Sequence, residues 1–240
     1  MTSKDPSSQH PLINFIRENS SFSRREIVTH LNSGTIKVNG MTVQDGSHLV
    51  STRDAIVMNK VKIHKKKRLY FKFNKPVNVI STFDDPNGRK DLSFFLKKHR
   101  LPTTLRPCGR LDRDSSGLLL FSNDGHFINR ILHPSFSIKK TYEIILDQPL
   151  NDAHQQHLSQ GLFLSDGPVT VLFESKLSPT HYIVSISIGR NRVLRRSFEF
   201  FGYTIQLLHR KSIGHIHLAT LTSGHFEELP FSIIKNLVRN

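Results

Sequence analysis

The chain has 240 residues, 37% of them hydrophobic, and its 34 Lys and Arg outnumber its 19 Asp and Glu to give a formal net charge of +15. The hydrophobic share is enough for a folded core, which excludes a disordered chain, and the length allows one full domain beside a small one. Positive side chains in this excess repel one another unless an anionic partner binds to the same surface. Nucleic acid is therefore the first candidate partner and an anionic membrane surface the second.

Three features of the sequence bear on where the chain works. It contains no run of about eighteen apolar residues, so no membrane span is predicted. Residues 1 to 11 are polar and lack the apolar centre of a signal peptide. Cys108 is the only cysteine, which excludes an internal disulfide and indicates a reducing compartment. We therefore expect a cytoplasmic protein.

The first elements along the chain form a small module. Ser23, followed three residues later by Glu26, has the pattern of a capping box, and Gly34 is placed to end that helix. Residues 35 to 43 alternate around an Asn-Gly pair, which predicts a hairpin, and residues 55 to 58 predict another short strand. An earlier short helix is predicted from apolar residues spaced along one face: Leu12, Ile13, Phe15 and Ile16.

About residues 12 to 60 resemble the alpha-L RNA-binding motif found in a small-subunit ribosomal protein and several RNA-modifying enzymes. The resemblance rests on Ser-Arg-Arg-Glu at residues 23 to 26 and Gly-Thr-Ile-Lys-Val-Asn-Gly at residues 34 to 40. It implies a phosphate clamp at the start of the second helix, because a helix N-terminus and two guanidinium groups attract the same anion. The implied RNA contacts are Ser23, Arg24, Arg25 and Lys37. The alternative is a solvated basic helix start.

A basic segment follows, and it divides the chain into predicted regions. Residues 1 to 10 are predicted as a flexible lead, 11 to 60 as the alpha-L domain, 61 to 68 as a linker and 69 to 240 as a catalytic domain. A charge run is usually just solvated, but here it is also suited to follow a phosphate backbone. The basic residues of the linker are Lys62, Lys65, Lys66, Lys67 and Arg68.

The second region predicts more strands than helices, and many of its strands are sequential. We therefore expect an α+β fold, with a mixed, mainly antiparallel sheet and flanking helices, beside the small N-terminal module. The predicted strands are residues 69–73, 77–82, 118–121, 141–146, 169–173, 182–188, 204–208 and 213–218. The predicted helices are one capped by Asp91 and residues 125–132, 152–160, 194–201 and 231–238.

Residues 109 to 125 contain the most informative run of the chain, Gly-Arg-Leu-Asp-Arg-Asp-Ser-Ser-Gly-Leu-Leu-Leu-Phe-Ser-Asn-Asp-Gly. A polar loop with Arg110, Asp112 and Asp114 leads directly into an apolar strand. A loop residue fixed beside a buried strand is held firmly, so a catalytic carboxylate is expected here. The alternative is that Asp112 caps a turn or pairs with Arg110.

This run resembles the motif of the RsuA/RluB/RluE/RluF-type ribosomal RNA pseudouridine synthases, Gly-Arg-Leu-Asp-x-x-(Thr/Ser)-x-Gly-Leu-Leu-Leu. The resemblance extends over about residues 12 to 230. It implies a reaction that breaks the bond between uracil N1 and C1′, turns the base and joins C5 to C1′. Because this reaction consumes nothing and needs no metal or redox group, we expect no cofactor and no metal site.

The resemblance also assigns the residues around the carboxylate. It makes Asp112 the catalytic group, acting either as nucleophile or as base. Arg110 and Arg113 flank it and are expected to bind phosphate or to hold the loop, and Asp114 is expected to support it.

A second segment, Lys-Lys-Thr-Tyr at residues 139 to 142, resembles the family's Lys-Thr-Tyr. In the family this tyrosine stacks on the flipped-out uracil, so the resemblance gives that role to Tyr142 and an RNA contact to Lys140. The alternative for Tyr142 is an ordinary core aromatic of a strand.

A third segment, Gly-Arg-Asn-Arg-Val-Leu-Arg-Arg-Ser at residues 189 to 197, resembles Gly-(Arg/Lys)-Asn-Arg-Gln-Val-Arg-Arg-Met. Alignment with that motif makes Arg195 the partner of Asp112. Arg190, Arg192 and Arg196 are then expected to face RNA phosphates at the start of a helix. The alternative is a generic basic helix start.

Taken together, the motifs predict a ribosomal RNA pseudouridine synthase that acts as a monomer on ribosomal RNA or on a ribosome-assembly intermediate, without a membrane partner. The first alternative is a non-catalytic RNA-binding or ribosome-assembly factor on the same fold. The second is a basic architectural protein, which accounts for the charge but not for residues 109 to 125. The target uridine and its RNA are left open.

Overall fold

The computed structural model of the chain describes residues 9–20, 22–64, 67–83, 85–86 and 88–238. The chain divides into two compact units, Met1–Arg68 with Asn123–Gly125, and Leu69–Ser122 with His126–Asn240. Most of the predicted lead, residues 1–8, lies outside the described residues, as do Lys65 and Lys66 of the predicted linker.

The first unit combines two helices with short strands. β3, β2, β5 and β6 form an antiparallel sheet in that order, and β1 pairs with β4. Its apolar core includes Leu12, Phe15 and Ile16, three of the residues predicted to face inward. In chain order the elements are β1 (His10–Pro11), α1 (Leu12–Asn19), α2 (Arg24–Asn32), β2 (Ile36–Val38), β3 (Met41–Thr42), β4 (Leu49–Val50), β5 (Ile56–Met58) and β6 (Val61–Ile63).

Local sequence signals account for most of this unit. The capping box is present, because Glu26 donates its backbone N–H to Ser23 Oγ at 3.3 Å and accepts the Ser23 N–H on Oε2 at 2.7 Å. The hairpin turns at Asn39 and Gly40, whose φ angles of 53° and 86° are the left-handed values that a type I′ turn requires. The predicted boundary between the alpha-L domain and the linker, at residue 60, was wrong. Val61–Ile63 pairs with β5, so the first three residues of the predicted linker belong to the sheet.

The second unit is built on a sheet that has nine strands within the described residues. Its central order is β13-β14-β10-β15-β9-β7-β17, with β8 on β9 and β16 on β15. The elements are β7 (Tyr70–Lys75), α3 (Leu92–Lys98), β8 (Arg106–Pro107), β9 (Ser116–Ser122), α4 (Gly125–Leu132), a 3-10 turn (Pro134–Phe136), β10 (Lys140–Leu146), α5 (Asp152–Gln160), β11 (Leu162–Leu164), β12 (Gly167–Val169), β13 (Leu172–Lys176), β14 (His181–Ile186), α6 (Val193–Glu199), β15 (Ile205–Ile213), β16 (Ile216–His217), β17 (Phe226–Glu228) and α7 (Phe231–Val238).

The pairing in this sheet is antiparallel except between β9 and β15, which run parallel. Helices pack on the sheet: α5 and α6 contribute Leu158 and Phe198 to one apolar cluster, and α4 contributes Phe127 to another. The predicted fold class, a mixed and mainly antiparallel sheet with flanking helices, is confirmed.

Four predicted strands were wrong in extent. Of residues 213–218, Ile213 ends β15 and only Ile216–His217 form a separate strand, β16. Residues 77–82 form no strand and make only an isolated bridge from Ile80 to Asp91, because Asn78 turns the backbone to a φ of 64°. The strand predicted at 169–173 is divided between β12 and β13. The strand predicted to end at Leu208 continues to Ile213, which places Arg210 inside the sheet.

Three adjacent strands, β9, β10 and β15, form the part of the sheet that carries the candidate site. Gly117 on β9 has a φ of 102°, and a Cβ on it would lie 2.4 Å from the carbonyl oxygen of Arg210 on β15. This glycine of the 109–125 run is therefore required for the close approach of the two parallel strands.

Candidate active site

A cavity of about 370 Å³ in the second unit brings the three motif segments together. Asp112 reaches it from the loop before β9, Tyr142 from β10 and Arg192 from the loop before α6. The volume lies within the range of small-ligand pockets. The predicted site residues that line the cavity are Arg110, Asp112, Lys140, Tyr142, Arg190 and Arg192.

The loop that carries Asp112 is held by its backbone. Ser81 Oγ donates to the Leu111 carbonyl at 2.7 Å and accepts the Leu111 N–H at 3.1 Å, and the Ser115 N–H donates to the Asp112 carbonyl at 3.1 Å. The side chain of Asp112 is half-buried. Within the described chain its carboxylate forms no ion pair, either with Arg110 or with any other cation, so it is open to a ligand in the cavity.

The predicted pairing of Arg195 with Asp112 was wrong in this structure. Arg195 is 6% exposed, and its Nε lies 3.2 Å from Oδ2 of Asp114, while Nη2 donates to the Asp114 carbonyl at 3.0 Å. Nη1 donates to the carbonyl of Ile205 at 2.7 Å. Burial lowers the pKa of the Arg195 guanidinium and the charge of Asp114 opposes that shift. Arg195 thus connects the loop that carries Asp112 to β15. It contacts the loop at Asp114 and β15 at Ile205.

The other arginines of residues 189–197 also have intramolecular partners, Arg190 and Arg192 in the loop before α6 and Arg196 in α6 itself. Arg192 Nη1 lies 3.1 Å from Asp114 Oδ2. Arg190 and Arg196 both pair with Asp166, at 3.1 and 2.7 Å, in the turn between β11 and β12. Hydrogen bonding to Arg196 is the main reason why the pKa of Asp166 is lowered. A phosphate bound by these arginines must therefore share or displace a carboxylate, and no motif in the sequence indicated Asp166.

Tyr142 and Lys140 lie on the same face of β10. Tyr142 is 6% exposed, and its hydroxyl accepts a hydrogen bond from Arg210 Nη1 at 3.4 Å. Lys140 Nζ donates to the carbonyl of Ile138 at 3.0 Å. Burial, with a smaller contribution from the positive charge of Arg210, lowers the pKa of Lys140 to about 8. The cavity therefore contains an aromatic face and two close cations.

Sequence reasoning missed two buried cations beside this site. Arg210 lines the cavity, but it lies beyond the predicted end of its strand. Lys75 is fully buried and donates from Nζ to the carbonyl of Ser115 at 2.8 Å. Burial lowers the pKa of Lys75 to about 8, while the charge of Asp112 opposes the shift. The Asn-Lys-Pro run at residues 74–76 was the available signal for Lys75.

The predicted RNA contacts outside the cavity, and Arg110 beside it, are surface residues. In the first unit Arg24, Arg25 and Lys37 are exposed, and the Ser23 hydroxyl is engaged in the capping box. In the second unit Arg110 and Arg113 are exposed on either side of Asp112. These side chains are free to meet an anionic surface.

Neither a metal centre nor a membrane-spanning helix is found among the described residues. In the part of the chain that the structure describes, no three His, Cys, Asp or Glu side chains cluster closely enough to share a metal ion. The ring of His154 stacks on that of Phe201, with centroids 4.6 Å apart, and shares a hydrogen bond with the Tyr203 hydroxyl. Among the described helices none has the length and hydropathy that crossing a membrane requires.

Comparison with known proteins identifies the family. The family model for RNA pseudouridylate synthase matches residues 69–200. Ribosomal large subunit pseudouridine synthase B of Bacillus subtilis is 35% identical over 221 residues, which cover 90% of this chain and 90% of that protein. The dual-specificity RNA pseudouridine synthase RluF of Escherichia coli K12 is 28% identical, over 93% of this chain and 77% of that protein.

A crystal structure of a pseudouridylate synthase, 28% identical in sequence, superposes with a TM-score of 0.65 and covers 95% of this chain and 99% of its own. The chain belongs to the RNA pseudouridylate synthase family. It is an isomerase that forms pseudouridine in RNA, and the predicted family and enzyme class are confirmed.

Proposed function

We propose that this enzyme converts a uridine of ribosomal RNA to pseudouridine, with Asp112 as the catalytic carboxylate. The observation that carries the proposal is that Asp112 is half-buried and without an ion pair in the described chain, and that it faces the same cavity as Tyr142. A carboxylate in this position can act on a bound nucleotide as a nucleophile at C1′ or as a base that removes a proton from the sugar or the uracil. The similarity to ribosomal pseudouridine synthases supports ribosomal RNA as the substrate class.

The other cavity residues have complementary roles in this proposal. A uridine must leave its stack to reach Asp112, and the ring of Tyr142 offers a face on which the flipped base can stack. Arg195 and Lys75 place positive charges near the carboxylate loop and hold its backbone through the Asp114 and Ser115 carbonyls. The loop is therefore preorganised, and little rearrangement is needed when the nucleotide enters.

The first unit is proposed to dock the RNA as an alpha-L module, and the chain is proposed to work as a cytoplasmic monomer. The net charge of +15 supports electrostatic docking, because each phosphate contact releases condensed counterions. Binding should therefore weaken steeply as salt is raised.

Replacing Arg24 and Arg25 together by Gln should lower affinity for transcribed ribosomal RNA by about tenfold or more and flatten the salt dependence. Turnover at saturating RNA should change much less, because the catalytic carboxylate belongs to the second unit. Filter binding over a salt series and single-turnover assays measure the two effects. The charge-matched control is the double substitution Arg53→Gln with Lys60→Gln on the same unit. An equal loss of affinity in this control would show that Arg24 and Arg25 contribute only their charge and form no specific phosphate clamp.

Lys140 gives the proposed reaction a pH dependence that can be tested. With a pKa of about 8, the ammonium is charged below pH 8 and loses its charge above it. The ratio kcat/KM reports on the free enzyme and should therefore fall as the pH rises through 8. Lys140→Arg keeps the charge at alkaline pH and should hold kcat/KM nearly constant from pH 7 to 9. If kcat/KM of Lys140→Arg still falls with rising pH as it does in the wild type, the titrating group is Lys75 instead.

The proposed function is tested by mapping pseudouridines in all ribosomal RNAs of a strain that lacks the gene. Loss of one site, restored by the wild-type gene but not by a gene encoding Asp112→Asn, identifies the target. An unchanged set of pseudouridines would contradict the proposal and favour a role in ribosome assembly without catalysis in ribosomal RNA.

A further inference from the structure

Arg210 lies outside the three motif segments, residues 109–125, 139–142 and 189–197. It lies on β15 directly opposite Tyr142 on β10, and opposite residues of an antiparallel pair project from the same face of the sheet. Arg210 is only 4% exposed, yet it lines the cavity. Its backbone is the group that Gly117 is required to accommodate.

The hydrogen bonds of Arg210 leave one nitrogen without a partner. Nε donates to the carbonyl of Leu118 at 2.6 Å, and Nη1 donates to the Tyr142 hydroxyl at 3.4 Å. Nη2 is buried and has no hydrogen-bond partner among the described residues. A buried charged donor without a partner is destabilising, so such groups are usually satisfied by a ligand or by water.

The charges around this nitrogen define what it can bind. Lys140, another of the cations that line the cavity, is close enough to Arg210 for their repulsion to lower its pKa. Neither Lys140 nor Arg210 forms an ion pair within the parts of the chain described here. Two cations without a carboxylate partner favour a ligand that carries or develops negative charge on oxygen.

We propose that Arg210 is a catalytic residue that binds a carbonyl oxygen of the target uracil and stabilises the negative charge on the base when its glycosidic bond breaks. Lys140 assists from the neighbouring strand. This inference rests on the proposed function, since it names a further residue for the same reaction.

The charge balance of the reaction explains why such a group is needed. When the N1–C1′ bond breaks, its electron pair stays on the base, and the uracil monoanion spreads the charge over O2 and O4. After the base turns, C5 bonds to C1′, the proton on C5 is lost and N1 gains a proton, so substrate and product are isomers. The base is anionic only between these steps. A preorganised cation at its oxygen edge therefore stabilises the separated state more than the substrate.

The position of Arg210 favours the base over a phosphate as its ligand. The guanidinium lies beside the hydroxyl end of Tyr142, the ring proposed to stack on the base, so the edge of a stacked uracil comes within its reach. Arg113, in contrast, is exposed and does not line the cavity, so it is better placed for the RNA backbone. Both ligands offer anionic oxygen, and the experiment must distinguish them.

The first test compares Arg210→Gln with Lys211→Gln, using a synthetic RNA stem that contains the mapped target uridine. Lys211 is adjacent on β15, is exposed, pairs with Glu143 and does not line the cavity, so the control removes the same charge from the same strand. Arg210→Gln should slow single-turnover conversion at saturating RNA by about 100-fold or more, as removal of one oxyanion donor does elsewhere. Lys211→Gln should stay within about threefold of wild type, and Arg210→Lys should recover part of the rate.

The second test measures affinity for the same stem with an abasic site at the target. Arg210→Gln should bind this RNA as tightly as wild type does, because the phosphates are present and the base is absent. An equal loss of affinity for uridine and abasic stems would show a phosphate contact and overturn the proposal. A conversion rate within about threefold of wild type would overturn it as well.

Two further outcomes distinguish a catalytic role of Arg210 from a purely structural one, and a failure of this inference from a failure of the proposed function. If Arg210→Gln fails to fold, Arg210→Lys, which keeps the charge but loses the planar fork, should fold and still convert uridine about tenfold more slowly than wild type. If Arg210→Lys folds and converts uridine at the wild-type rate, the role of Arg210 is structural and consists of its hydrogen bond to the Leu118 carbonyl. That outcome would overturn the proposal. A wild-type enzyme that does not convert the mapped uridine would contradict the proposed function itself, and the inference with it.

Discussion

Asp112→Asn is expected to abolish pseudouridine formation, with a loss of at least about 10³-fold in the single-turnover rate. The amide has nearly the same shape as the carboxylate, but it can act neither as a nucleophile at C1′ nor as a base toward the sugar or the uracil. The Asp112 side chain makes no ion pair in the described chain, and the loop is held through the backbone of Leu111 and Ser115. The substitution should therefore leave the fold and the RNA affinity nearly unchanged.

The measurement is tritium release from 5-tritiated uridine in transcribed ribosomal RNA, together with the dissociation constant and the unfolding temperature. Asp152→Asn, the same chemical change at an exposed residue of α5, is the matched control and should retain wild-type activity. Activity of Asp112→Asn near that of the control would show that another group performs the catalytic step.

Arg195→Ala should have the second-largest effect, and it should affect stability as well as rate. The buried guanidinium supplies the contacts from α6 to Ile205, to the Asp114 carboxylate and to the Asp114 carbonyl. Losing them is expected to lower the free energy of unfolding by about 2–4 kcal/mol. The ion pair itself accounts for the smaller part, because the Asp114 side chain is 49% exposed and is screened by water. Turnover should fall by about 100-fold as the Asp112 loop loses its support.

A double-mutant cycle with Asp114→Asn tests whether the loop is tied through this pair. We expect the two substitutions to be non-additive by about 0.5–3 kcal/mol in chemical denaturation, because each removes the same contact. Additive losses would indicate that Arg195 stabilises the fold through Ile205 alone. In that case the Asp112 loop would depend on Lys75 and Ser81.

Features that depend on neighbouring residues were predicted well from the sequence. The capping box of Ser23 and Glu26, the Asn39-Gly40 turn and the N-cap of α3 by Asp91 all form as expected. Each needs only a side chain and a backbone group a few residues apart, so the local sequence contains the whole interaction. The same is true of α4, whose predicted bounds coincide with the observed helix.

Features that depend on distant partners were missed or misassigned. The segment 77–82 has a strand composition but no full strand partner, and β6 is a strand because β5 offers it an edge. β15 extends beyond its apolar pattern because β9 and β10 pair on both sides of it. Strand identity in such segments is decided by pairing and burial more than by intrinsic preference.

In the candidate site, too, some features follow from the local sequence and others from distant contacts. The sequence by itself determined the basic character of the chain, its family, and the segments that supply Asp112, Tyr142 and the arginines before α6. Tertiary structure alone decided that Arg195 pairs with Asp114 and that Arg210 lies in the cavity. The physical reason is that a motif specifies which charges are present, whereas the partner of each charge depends on strand register and on contacts between residues about 70 to 90 positions apart, such as Arg210 with Tyr142 and with Leu118.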